Sequence, residues 1–195
     1  VNAEVFDRLL ALLDTEGVLN AEEQKALVSI WQPFSAARRT VITAQGDTEA
    51  YLYFVLEGLQ RVCHYTEDGK EATVVFTFPP SFGGIIDSFL LQSPSRYTYE
   101  TLSPSVFIRA RFADFDALMK QHAGIVRAMQ LGTARVLSGV TERMVELQCL
   151  SSEEKFRRLL QRSPHILQIV PHKYLANYIG IDPTNFSKLM NTVRV

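Results

Sequence analysis

Cysteine is scarce. The chain of 195 residues has two, Cys63 and Cys149, far apart and in no CxxC spacing. That leaves no disulfide framework, no zinc ligand set and no iron–sulfur cluster to expect, only two free thiols. Long apolar runs are missing as well. None approaches the roughly 18–20 residues needed to span a bilayer, so no membrane partner is expected. The opening VNAEVFDRLL is too acidic and too interrupted for a secretory h-region, and the cytoplasm is the expected compartment. Catalytic constellations are also absent. There is no Ser-His-Asp-like set, P-loop, HExxH or paired-carboxylate arrangement, and His64, His122, His165 and His172 are scattered. The sequence points away from an enzyme, with no catalytic and no metal-binding residue expected.

What is present is an ordinary globular composition, 47% hydrophobic, in a length that suits one large domain or two small ones. The net charge of −1 conceals an asymmetry: from residue 150 onward there are seven basic and three acidic side chains, and before it thirteen and eighteen. A basic tail on an acidic body suits a polyanionic partner.

Apolar spacing predicts an amphipathic helix around Val5–Leu13 and a second over Ala21–Ile30, with Pro33 ending helical propensity. From Arg39 to Arg111 the texture is short strands broken by turns. YLYFVL (51–56) ends at Glu57-Gly58. LQRVCHYT (59–66) and EATVVFTF (71–78) flank Asp68-Gly69, a hairpin signal. Pro79-Pro80 stops that strand, Phe82-Gly83-Gly84 makes a glycine-rich turn, and Tyr97–Thr101 and Ser105–Arg111 are further strands. Such strands without intervening long helices predict an antiparallel barrel or jelly roll. After Arg111 the pattern is helical: Ala113–Lys120, a long helix over Gly124–Gln148, one opened by Ser151-Ser152-Glu153-Glu154, and a final pair after Pro171.

Along the long helix, Val126, Met129, Thr133, Val136, Val140, Arg143, Leu147 and Leu150 alternate in steps of three and four, a coiled-coil seam with Thr133 and Arg143 as polar exceptions. About 25 residues of helix span roughly 37 Å, more than one small domain covers. The seam predicts a homodimer, with packing on the chain's own β domain as the other reading.

The segment HKYLANYIGIDPTNFSKLMN (172–191) meets the demands of a helix-turn-helix. Ala176 is small where two helices approach, Gly180 tolerates a left-handed turn, and Leu175, Ile179, Ile181, Phe186 and Leu189 take the inner positions. Asp182-Pro183 supplies an N-cap and a first-turn proline. The second helix then carries Thr184, Ser187, Lys188 and Asn191 on one outer face, residue types that read base edges in a major groove. Lys173 and Arg194 are expected at phosphates.

With those elements in place, the chain resembles the Crp/Fnr family of bacterial transcription regulators. YLYFVLEGLQRVCHYTEDGKE matches the family's strand–glycine–strand–hairpin pattern, FGGII its ligand loop, and LANYIGIDPTNFSKL its C-terminal reader. The resemblance implies an α+β fold in three parts. An N-terminal β-roll of jelly-roll, cyclic-nucleotide-binding-domain-like type with flanking helices covers 1–120, a dimerisation helix 121–150, and a helix-turn-helix DNA-binding domain 151–195. The last part is winged-helix-like, with the second wing absent because the chain stops at Val195. It also implies double-stranded DNA and a second copy as partners, and admits RNA polymerase. An effector would meet Phe82, Gly83, Gly84, Ser95 and Arg96. Cyclic-nucleotide binders of the family carry Phe-Gly-Glu and then Arg-Ser or Arg-Thr. Here the glutamate position is Gly84, Ser95 falls on the arginine's place and Arg96 one beyond, which argues against cyclic AMP held in that manner. Cys63 and His64 are neighbours on a strand and point to opposite faces, so haem is disfavoured, and the cofactor stays open. The other reading is a ligand-sensing or protein-interaction module whose helix-turn-helix no longer reads DNA.

Overall fold

The computed structural model describes residues 3–193, so Arg194 lies outside the described residues. Helices α1 (Ala3–Leu13) and α2 (Ala21–Ser29) open the chain. The start of α2 is set by a reciprocal capping box: Glu23 N donates to Asn20 Oδ1 at 2.9 Å, and Asn20 N donates to Glu23 Oε2 at 3.0 Å. Eight strands follow: β1 (Trp31–Ala36), β2 (Val41–Thr43), β3 (Tyr51–Glu57), β4 (Gln60–Tyr65), β5 (Glu71–Thr77), β6 (Ser81–Gly83), β7 (Thr98–Thr101) and β8 (Ser105–Arg111). A short helix, α3 (Ile86–Leu91), separates β6 from β7.

The strands form two four-stranded antiparallel sheets, ordered β1-β8-β3-β6 and β2-β7-β4-β5. Side chains alternate faces along each strand. Tyr53, Val55 and Phe107 of the first sheet therefore meet Val62 and Tyr99 of the second inside the roll. The other face of the first sheet, with Leu52, Phe54, Ile108 and Ala110, is covered by Leu9, Leu27, Phe115 and Ile125 from helices. The expected hairpin is present: Gly69 has φ 79° and its N–H donates to Thr66 O at 3.0 Å.

Two elements depart from the sequence expectation. Pro33 does not mark a loop but lies within β1, which is an edge strand of its sheet and tolerates a missing donor. The run after Gly84 folds as α3, six residues whose apolar texture carries no helical period of its own.

Six helices complete the described chain: α4 (Phe112–Gln121), α5 (Ala123–Cys149), α6 (Ser152–Arg162), α7 (Ile166–Ile169), α8 (His172–Tyr178) and α9 (Pro183–Thr192). Both readings of α5 hold in part. Its first turns pack on the chain's own core through Ile125 and Ala128, with Met129 alongside, whereas every residue from 133 to 142 is exposed. The seam loses one member. Arg143 turns away to stack on the Tyr178 ring, to donate to Val74 O at 2.8 Å and to donate to Tyr178 O, so it is a bridge to the roll. The two thiols differ in setting: Cys63 is buried and Cys149 exposed.

Helices α6–α9 enclose a second core of Phe156, Leu159, Leu160, Ile166, Val170, Leu175, Ile179, Phe186 and Leu189. Leu59 and Phe76 of the roll belong to the same cluster. Asn177 extends the contact in a way side chains seldom do. Its Oδ1 accepts from Thr73 N at 2.6 Å and its Nδ2 donates to Glu71 O at 2.7 Å, so one amide occupies the free edge of β5 as a paired residue would. The roll and the helical tail are one packed body in this structure.

Candidate nucleic-acid interface and ligand cavity

The helix-turn-helix takes the expected geometry. The chain turns at Gly180, φ 65°, with Gly180 N donating to Asn177 O at 3.1 Å and Ile181 N to Ala176 O at 3.0 Å. Asp182 caps α9 by accepting from Thr184 N at 2.8 Å and Asn185 N at 3.3 Å, which also holds its carboxyl below the usual range. Leu175, Ala176, Ile179, Phe186 and Leu189 are buried, and Ile181 is half-buried against them. Phe186 meets Phe156 edge-on at 5.3 Å, fixing α9 on α6.

With its apolar face committed, α9 presents Thr184, Ser187, Lys188 and Asn191 together, all exposed. Ser187 Oγ donates to Pro183 O at 3.0 Å and Asn191 Nδ2 to Ser187 O at 3.1 Å, so two of the four rest on their own helix while their remaining hydrogen-bonding capacity faces outward. Lys173 stands apart from this face. It lies on α8 with its ammonium 4.5 Å from the Tyr174 ring, turned toward the roll.

The residues expected around an effector are not gathered at a cavity. Phe82 packs between Phe54 and Trp31 at ring distances of 5.4 and 6.3 Å. Ser95 is buried and spends its hydroxyl on Tyr97 N and Tyr97 O, at 2.8 and 2.9 Å. Arg96 is exposed, and its backbone carbonyl meets His64 Nδ1 at 2.8 Å. Gly84 has φ 101°, and a Cβ there would lie 3.2 Å from Tyr51 O and 3.5 Å from Glu49 Oε2. The glycine therefore admits a backbone that a side chain resists, beside a carboxylate from another strand connection. Glu49 itself is buried, accepting from Thr43 Oγ1 at 2.8 Å, Tyr51 N at 3.2 Å and Ile85 N at 3.3 Å. Burial pushes its carboxyl above the usual range despite these donors.

A cavity of about 460 Å³ lies instead between the second sheet and α8. Arg38, Arg39, Arg61, Tyr65, Glu71, Glu100, Lys173 and Tyr174 line it. Its floor is Arg61, whose Nε donates to Glu100 at 2.7 Å and whose Nη2 donates to Glu71 at 3.1 Å and Tyr65 Oη at 2.9 Å. Tyr174 covers that guanidinium at 4.0 Å. Burial works against the charge of Arg61, but the two carboxylates outweigh it and raise its pKa. The Arg61 hydrogen bond in turn holds Glu71 low. Sequence reasoning passed over all three arginines. The signal was an arginine at an inward position of an otherwise apolar strand, Gln60-Arg61-Val62-Cys63, with a dibasic pair at 38–39.

Comparison with known proteins agrees with this architecture. Residues 33–122 match the family model for the cyclic nucleotide-binding domain. FixK2 from Bradyrhizobium japonicum superposes with a TM-score of 0.74 at 17% identity, covering 83% of each chain. A putative Crp/Fnr regulator from Eubacterium rectale gives 0.68 at 16% identity, over 90% of this chain and 83% of that one. The catabolite activator protein of Thermus thermophilus gives 0.58 at 22% identity, over 92% and 85%. Among curated proteins none matches the sequence.

Proposed function

We propose that this chain, which carries a cyclic nucleotide-binding domain and shares its fold with Crp/Fnr transcription regulators, is itself a homodimeric regulator that binds specific DNA sequences. The observation that carries the reading is α9, capped by Asp182, anchored by Phe186 and Leu189, and offering Thr184, Ser187, Lys188 and Asn191 as one exposed polar face. Lys188 suits guanine, Asn191 adenine, and the hydroxyls several partners. Dimerisation is supported by the bare stretch of α5, where Val136, Leu137, Val140 and Met144 are all more than half exposed at 51, 64, 52 and 55%. An apolar stripe on a helix that nothing covers is the seam a second copy fits.

On this reading the division into 1–120, 121–150 and 151–195 is one of labour: ligand-sensing roll, dimer helix and DNA reader. Two readers then enter successive major grooves about 34 Å apart, and the operator is near-palindromic. The effector is not cyclic AMP bound in the family's usual manner, because Gly84 replaces the glutamate and Ser95 is committed to Tyr97.

Selection of bound sequences from random duplex DNA, followed by footprinting, tests this. The expected outcome is a two-fold site whose affinity falls at least tenfold in a Lys188→Ala, Asn191→Ala variant, since one good base contact is worth about 1–3 kcal/mol. Affinity should also fall steeply with salt. Recovery of unrelated sequences, or equal binding by the variant, sinks the proposal.

A further inference from the structure

The cavity between roll and reader is a place for a second kind of ligand. We propose that it binds a small hydroxylated phosphate ester, a molecule of sugar-phosphate type, independently of whether the chain reads DNA. Its volume of about 460 Å³ falls within the roughly 300–1,000 Å³ of small-molecule sites. Its lining sets the chemistry. Four cationic side chains, Arg38, Arg39, Arg61 and Lys173, face two carboxylates, Glu71 and Glu100. The carboxylates are both spent on Arg61, at 3.1 and 2.7 Å. Among the described residues no carboxylate pairs with Arg38, Arg39 or Lys173. The lining therefore has an excess of two positive charges at the rim, matching a dianionic phosphate, over a floor whose carboxylate oxygens accept from hydroxyl donors.

The rim is built rather than incidental. Arg38 Nε donates to Leu102 O at 3.2 Å, fixing the stem of that side chain across the strand connection. Arg39 is a non-glycine residue held at φ 62°, with its N–H donating to Thr101 O at 3.0 Å and turning the β1–β2 connection toward the cavity. Such backbone conformations cost on the order of 1 kcal/mol or more and persist where the surroundings impose them. On the opposite wall Arg61 stays extended because Glu71, Glu100, Tyr65 and Tyr174 all hold it. Walls from the roll and from α8 enclose the same space, so an occupant touches both.

Calorimetric and thermal-shift titrations of the full chain with ribose 5-phosphate, inorganic phosphate and ribose test the site. Ribose 5-phosphate should raise Tm saturably, phosphate less so, and ribose not at all. Arg39→Gln should raise the Kd for ribose 5-phosphate at least tenfold and leave the ligand-free Tm unchanged, because that side chain is exposed. Arg8→Gln, an exposed arginine far along the chain, and Arg96→Gln in the roll should leave the Kd as it is. Equal weakening by Arg8→Gln would reduce the effect to general charge attraction and overturn the proposal. So would loss of binding in Arg96→Gln but not Arg39→Gln, which would move the ligand into the roll. A third overturning result is Arg39→Gln weakening duplex DNA while leaving ribose 5-phosphate untouched, which would assign the rim to a polyanion.

Discussion

A single residue, Glu49, shows how burial sets the behaviour of the roll. Its side chain is 1% exposed and no cation is paired to it among the described residues. Three donors, Thr43 Oγ1, Tyr51 N and Ile85 N, stabilise its charge, and burial still dominates, so its carboxyl titrates above the ordinary value of 4.5. The sign of the linkage follows. The folded chain holds this proton more tightly than the unfolded chain, so the contribution to stability is full below the unfolded pKa. It is lost as pH rises through the folded one. Tyr53 and Tyr99, its closest titratable neighbours in the roll, are themselves pushed upward by burial and take no part near neutrality. Replacing Glu49 with Gln removes this titration. The fall in Tm between pH 4 and pH 8 should be smaller in the variant than in the parent, whatever the offset between their absolute values. Parallel melting curves across that range would refute the assignment.

At the scale of elements, the sequence was most legible where a local rule dictates the structure. Helix starts at Asn20, Ser151 and Asp182 appear where a capping side chain precedes a helix-forming run. The strand from Ser105 to Arg111 and the turn at Gly180 follow the pattern and the glycine respectively. β1 was not legible, because Pro33 reads as a stop until the sheet order shows that its missing donor sits on an edge. The orientation of α5 was half legible. Period alone put Arg143 on the seam with Val136 and Val140, but a long guanidinium reaches sideways to the Tyr178 ring and leaves the stripe apolar. That stripe makes a prediction of its own. In sedimentation equilibrium the parent chain should be a dimer, and Leu137→Glu with Val140→Glu a monomer at the same concentration. Far-UV circular dichroism should not change, since both positions are exposed within one chain. A parent chain that sediments as a monomer would remove the seam.

At the scale of the whole molecule, the least legible feature is the docking of the reader onto the roll. Asn177 lies 104 residues from Thr73 and 106 from Glu71, and nothing in hydrophobic period or turn chemistry announces that a side-chain amide will complete a strand edge. The physics is plain once the edge is seen. β5 ends its sheet, and an edge strand offers unpaired N–H and C=O groups that must be satisfied or covered. Asn177 satisfies one of each, Arg143 takes Val74 O, and Phe76 against Tyr178 at 5.1 Å excludes water beside them. The same contacts place α8 relative to the roll, so the angle at which α9 is presented depends on them. Asn177→Ala leaves Thr73 N and Glu71 O without protein partners while the apolar contact of Phe76 with Tyr178 remains. Stability should fall by about 1–3 kcal/mol, the usual cost of an unmatched, partly buried pair. Hydrogen exchange gives the sharper test, because Thr73 N–H points at Asn177 rather than into a ladder. Its exchange should accelerate strongly in the variant, together with amides of α8, while those of β3 and β8 in the middle of the other sheet keep their protection. Uniform loss of protection across both sheets would mean that Asn177 supports the fold as a whole, and unchanged protection at Thr73 would mean that the edge is satisfied without it.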